Sequence, residues 1–160
     1  MRRGIRLAAT VAIGLATLAG CSSDKKVTTA TDAPSGITVP AGDTGTAVAV
    51  TAGDTNDTTQ FLKVEPVTVA AGPTTFTLTN SGTKKHEMVV LKTDEAIDAL
   101  AVDTATNKVS EATTVGEVGE TDIGKVGTVT LDLKPGKYIL VCNIEKHYAQ
   151  GMRTAFTVTG

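Results

Sequence analysis

TVTLDLKPGKYILVCNIEKHYAQGM, residues 128–152, is the stretch whose reading decides the fold. Val129, Leu131 and Leu133 alternate with Thr130 and Asp132, KPGK at 134–137 turns the chain, and YILVC at 138–142 makes a second extended run. Period-two alternation turns one face of a strand toward a core and the other toward water. After Cys142 the pattern stops, and a polar loop carries His147 and Met152 toward a further alternating run, TAFTVT. Each of the three residues alone has an ordinary role: an inert buried thiol, a satisfied histidine, a packing methionine. In one short loop they are a soft-to-borderline donor set for a metal.

Working outward, the same period recurs. Val48 and Val50, Leu62 and Val64, Val67 and Val69, Phe76 and Leu78, and Phe156 and Val158 alternate with Thr, Ala, Lys or Asp. The phase slips at Glu65-Pro66, where proline has no N–H for a ladder, so an edge position or a bulge is expected there. AAGP at 70–73 and NSG at 80–82 are turn signals. The count is about seven strands over about 115 residues, the size and spacing of an all-β antiparallel sandwich. Residues 93–126 depart from the pattern. TDEAIDALA has a capping Thr93, acidic residues in its first turn, and Ile97, Leu100 and Ala101 on one side, which predicts a short helix. The polar, glycine-bearing remainder reads as a long excursion between strands.

The chain opens MRRGIRLAATVAIGLATLAGC: arginines, an apolar run from Leu7 to Leu18, then small residues, the layout of a secretory signal. The run is shorter than the roughly 20 residues that span a bilayer. Leu18-Ala19-Gly20-Cys21 resembles the bacterial lipobox, which implies cleavage before Cys21 and its lipidation, with residues 1–20 as the signal peptide. Two acyl chains give the second membrane signal that stable anchoring needs. Residues 21–45, rich in Ser, Thr, Ala, Asp, Gly and Pro, read as a flexible tether with a reach of roughly 25–30 Å. The folded domain is expected over 46–160. A cysteine consumed by lipid leaves Cys142 as a lone thiol in an exported protein. Loss of Arg2, Arg3 and Arg6 and of no acid turns the formal charge from −2 to −5, a balance that argues against nucleic acid.

HEMVVLK, residues 86–92, follows the NSG turn, so His86 opens a strand whose even positions, His86, Met88 and Val90, face one way. His86, Cys142, His147 and Met152 can thus meet at one end of a sandwich. Two imidazoles, a thiolate and a weak thioether suit copper in both Cu(I) and Cu(II). Structural zinc sites prefer more cysteines.

PGKYILVCNIEKHYAQGM, with NSGTKKHEMVV upstream, resembles the cupredoxin family of the plastocyanin-like kind over roughly residues 46–160. The resemblance implies a Greek-key sandwich and one copper ion held equatorially by His86, Cys142 and His147, with Met152 axial. It also implies that Glu87 and Asn143 stand where the family commonly has Asn after the first histidine and Ser or Thr after the cysteine. The clamp between the two ligand segments is then expected with donor and acceptor exchanged. Glu145-Lys146 replaces a common Pro-Gly, which predicts a less rigid loop.

From this follows a membrane-tethered, monomeric blue copper protein that passes single electrons between redox partners outside the cytoplasmic membrane. His147 is the expected electron exit, ringed by a docking collar of Tyr148, Ala149 and Gly151 for transient, small-area contacts. An extracytoplasmic copper carrier or buffer is the alternative. A redox-inert scaffold comes third, and an enzyme last, because a further copper centre needs histidines beyond the chain's two.

Overall fold

Alternation becomes structure most plainly in β1 (Thr46–Asn56), where Val48, Val50 and Ala52 are buried and the residues between the first two face out. The computed structural model describes residues 45–160. The signal segment, the tether and Cys21 lie outside the described residues. The remaining strands are β2 (Thr59–Glu65), β3 (Thr68–Ala70), β4 (Gly72–Asn80), β5 (His86–Lys92), β6 (Val102–Asp103), β7 (Lys108–Val109), β8 (Thr114–Thr121), β9 (Val126–Leu133), β10 (Gly136–Val141) and β11 (Arg153–Thr159). One sheet has the order β2-β1-β4-β9, the other β3-β11-β10-β5-β8, and β6-β7 is a separate hairpin.

The two sheets pack as a sandwich whose inner faces supply the side chains that the period picked out: Val48, Val50, Leu62, Val64, Val69, Phe76, Leu78, Leu133, Phe156 and Val158. Phe76 and Phe156 meet across the core with ring centroids 5.4 Å apart. Val129 and Leu131 are only partly buried, and Val67 is exposed. Pro66 falls between β2 and β3, edge strands of different sheets, so its missing N–H interrupts no ladder.

Three expectations are corrected. The two sheets hold nine strands rather than about seven. One of the extra strands is β8, inside the stretch expected to be an excursion, whose TVGEVGET buries only Val118 and Thr121. An edge strand with little to bury carries little alternation. Pairing is also not wholly antiparallel, since β1 with β4 and β11 with β3 are parallel. Lastly, no helix is present among the described residues. Thr93 does accept the Glu95 N–H (3.1 Å), and Ala99 N–H reaches Ala96 O (2.9 Å), but only turns follow. Tertiary contacts override the helical tendency. Ile97, Leu100 and Val102 pack on a second cluster formed by Val89, Leu91, Val109, Ile139, Val141 and Tyr148, which covers the outer face of β5 and β10. Those two strands are consequently buried on both faces.

Candidate metal centre

β10 and β5 are antiparallel partners, with Val141 opposite Val89 and Leu140 opposite Val90. That register brings Cys142, just past the end of β10, to the first residues of β5, where Glu87 N–H points at Cys142 Sγ (3.4 Å). His147 Nδ1 lies 3.3 Å from the same sulfur, and the two imidazole centroids are 5.1 Å apart. Donor atoms of His86, Cys142 and His147 all fall within 4.8 Å of one another. His86 and Cys142 are fully buried, whereas His147 keeps 7% exposure.

The loop that carries them closes on itself. Cys142 N–H donates to Met152 O (3.1 Å) and Met152 N–H to His147 O (3.1 Å), while His147 N–H reaches Ile144 O (2.9 Å). Met152 is fully buried in the inner core together with Met88 and Cys142. Gly151 (φ +115°) passes so close to Gln60 that a Cβ there would sit 2.7 Å from its carbonyl oxygen. Lys146 takes φ 71°. The second residue of Glu145-Lys146 therefore adopts the left-handed conformation that glycine reaches without penalty.

Each loop donor also has a neighbour tied to the covering segment 93–113. Asn143 Oδ1 accepts Val109 N–H (2.9 Å), and its Nδ2 donates to Val109 O (3.0 Å) and Glu111 Oε1 (2.6 Å). Lys146 N–H bonds Asn107 O (3.0 Å), Tyr148 hydroxyl donates to Ile97 O (2.8 Å), and Arg153 binds Asp98 Oδ1 through Nε (2.7 Å) and Nη2 (2.6 Å). These links oppose the expectation of a slack loop.

Of the flanking residues, Asn143 turns its side chain to Val109 and Glu111 rather than to Glu87, so the expected clamp between the two side chains is not formed. Burial pushes the Glu87 carboxyl up. Tyr148 corrects the expected collar. It is 4% exposed, packed under the Arg153 guanidinium (5.1 Å from its ring) and bonded to Ile97, so it braces the loop from inside. Ala149 is exposed and Gly151 half-buried.

Burial dominates the electrostatics. It lowers His147 to about 4, with the neighbouring His86 adding to the effect, lowers His86 although Asp54 opposes it, and raises the Cys142 thiol to about 11. At neutral pH the metal-free site is two neutral imidazoles and a thiol, so a metal arriving there displaces the Cys142 proton.

Sequence reasoning missed three polar residues at this end of the sandwich. Asn80 is fully buried; its Nδ2 donates to Lys84 O and Thr121 O (2.8 Å each), and its Oδ1 accepts Gly82 N–H (2.9 Å). Asp54 approaches His86, and Gln60 stands opposite Asp54 in the β1–β2 ladder. The signal was the alternation itself. Val50-Ala52-Asp54, Phe76-Leu78-Asn80 and Val64-Leu62-Gln60 each continue an inward series by one polar step.

Residues 46–159 match the copper-binding proteins of the plastocyanin/azurin family. Among solved structures, dithionite-reduced auracyanin from Roseiflexus castenholzii is similar at 23% identity, covering 74% of this chain and 100% of that one with a TM-score of 0.54. Rusticyanin from Thiobacillus ferrooxidans gives 21%, 72%, 79% and 0.51 on the same measures, and an azurin from Methylomonas sp. strain J gives 16%, 72%, 98% and 0.50. No curated protein matches the chain by sequence.

Proposed function

Because the chain belongs to the plastocyanin/azurin family of copper-binding proteins, we propose that it is an exported, lipid-anchored blue copper protein that carries single electrons between redox partners. His86, Cys142 and His147 are positioned to bind one copper ion. The observation that carries the reading is this one: three buried donors, a thiol and two neutral imidazoles, already lie within 4.8 Å. Soft sulfur and borderline nitrogen together suit both oxidation states, and copper held there supplies one-electron chemistry. Met152 is the fourth donor in this reading, buried beside Cys142 in the same core cluster.

The chain's own contribution is to hold those donors still. Hydrogen bonds within 142–152 fix the loop on itself, and the links from Asn143, Lys146, Tyr148 and Arg153 fix it to the covering segment. Electrons pass at His147, the one donor residue among His86, Cys142, His147 and Met152 with measurable exposure. Ala149 and Gly151 beside it form the contact patch for transient docking. Residues 1–20 address the chain for export, Cys21 anchors it, and 21–45 lift the domain at 46–160 off the membrane; the apolar run and the LAGC motif support this part.

Purified protein given Cu(II) develops an intense thiolate-to-copper absorption band and keeps its metal through repeated oxidation and reduction. Ready release of Cu(I) to a competing chelator selects the copper carrier instead. Absence of the band refutes both the electron-carrier reading and the ligand set.

A further inference from the structure

The inward series of β1 ends in a carboxylate. Asp54 has a side chain only 5% exposed, and its Oδ1 lies 3.4 Å from His86 Nε2. Its other oxygen is occupied: Oδ2 accepts the Thr83 N–H (2.5 Å) and the Thr83 hydroxyl (3.2 Å). At this distance the approach is not yet a hydrogen bond: neither Oδ1 nor either ring nitrogen of His86 has a hydrogen-bond partner, so carboxylate and imidazole are buried, facing and unsatisfied. The turn that joins β4 to β5 is shaped for this approach. A Cβ on Gly82 would stand 2.8 Å from His86 Nε2 and collide with Asp54 Oδ2, so only glycine lets carboxylate and imidazole come together. Asn80 pins that turn through Gly82 N–H and Lys84 O.

We infer that Asp54 is a positioning residue for His86: it accepts the Nε2 proton, leaves Nδ1 as the bare, metal-facing nitrogen, and biases the site toward the oxidised ion. The inference rests on the copper reading above. A metal-ligating histidine commonly gives its second ring N–H to a carboxylate, which fixes the tautomer and strengthens the ligand. A negative charge held in a desolvated place favours the more positive state of whatever the ring binds. Burying that charge is tolerable because the Thr83 N–H and hydroxyl both donate to it.

Two variants of the full chain separate the hydrogen bond from the charge. Asp54→Asn keeps shape and an acceptor oxygen, whereas Asp54→Ala keeps neither. In metal-free protein, nitrogen NMR of His86 shows the Nε2–H tautomer in the parent and in Asp54→Asn, and a tautomer mixture in Asp54→Ala. In copper-loaded protein both variants lose preference for Cu(II) over Cu(I) by roughly tenfold, which raises the reduction potential by about 59 mV. An Nδ1–H tautomer in the parent overturns the proposal. So does a potential unmoved in both variants with only stability reduced, because Asp54 is then merely a clamp on the Thr83 turn. A parent that never turns blue overturns the copper reading and this proposal with it; a blue parent with indifferent variants overturns this proposal alone.

Discussion

At the scale of single residues, Cys142 is the side chain on which colour and fold part company. It is fully buried in a core that also contains Met88, Leu140 and Met152, so replacing sulfur by oxygen leaves the packing nearly intact. Cys142→Ser is expected to keep the native far-ultraviolet circular dichroism and lose the thiolate-to-copper band altogether. Met152 tests tuning rather than assembly. If Met152 is the proposed axial donor, Met152→Gln, with a harder oxygen, is expected to lower the reduction potential, and Met152→Leu, with no donor atom, to raise it. Protein-film voltammetry on the pair checks both signs, and two unmoved potentials reduce Met152 to a packing residue.

Among the elements, the covering segment 93–113 does the most that its composition conceals. Asn143→Ala leaves the N–H and C=O of Val109 without partners in a buried place, and Val109 itself is 5% exposed. Each such group costs about 1–3 kcal/mol, so the variant is expected to lose about 3 kcal/mol in urea unfolding of the metal-free protein, and Tyr148→Phe, short of one hydrogen bond, about 1 kcal/mol. How legible this was differs element by element. Strands with a continuous inward series, such as β2, β4 and β11, were readable because burial alternates strictly along them. β8 was not, since an exposed glycine- and glutamate-bearing edge has no face to advertise. The helix expected from TDEAIDALA failed because Ile97 and Leu100 found a sheet to cover, a long-range fact that local spacing does not hold. His86, Cys142 and His147 were readable because their chemistry is scarce in this chain. Asp54 and Asn80 were written in the same alternation as the core, but as polar residues in inward phase they were passed over.

For the whole molecule, the site's burial sets the pH range of stability. Unfolded histidine titrates near 6.5, while His147 in the folded protein takes its proton only near 4. Between those values the unfolded chain binds more protons, so stability falls as pH drops through that window. Cys142 works from the other side: the unfolded thiol ionises near 9.0 and the folded one near 11, so stability falls again as pH rises above about 9. Denaturant titrations of the metal-free protein are expected to give a plateau between about 6.5 and 9 with losses on both flanks, and a flat profile below 6.5 contradicts the burial of His147. The sandwich is joined over great chain distances, with Thr154 bonded to Leu62 and Thr159 to Val69 across 92 and 90 residues. Cys142 and His147 are only 5 apart. The denatured chain therefore keeps the Cys142 thiol and the His147 imidazole close together in sequence, a donor pair that needs none of the sandwich. Copper is therefore expected to bind at both ends of the unfolding equilibrium, and what it binds in the denatured chain subtracts from what it adds to the native one. Stabilisation on loading is expected to fall short of the value calculated from the native dissociation constant, and the shortfall should match the affinity of the isolated 142–152 peptide for the same ion.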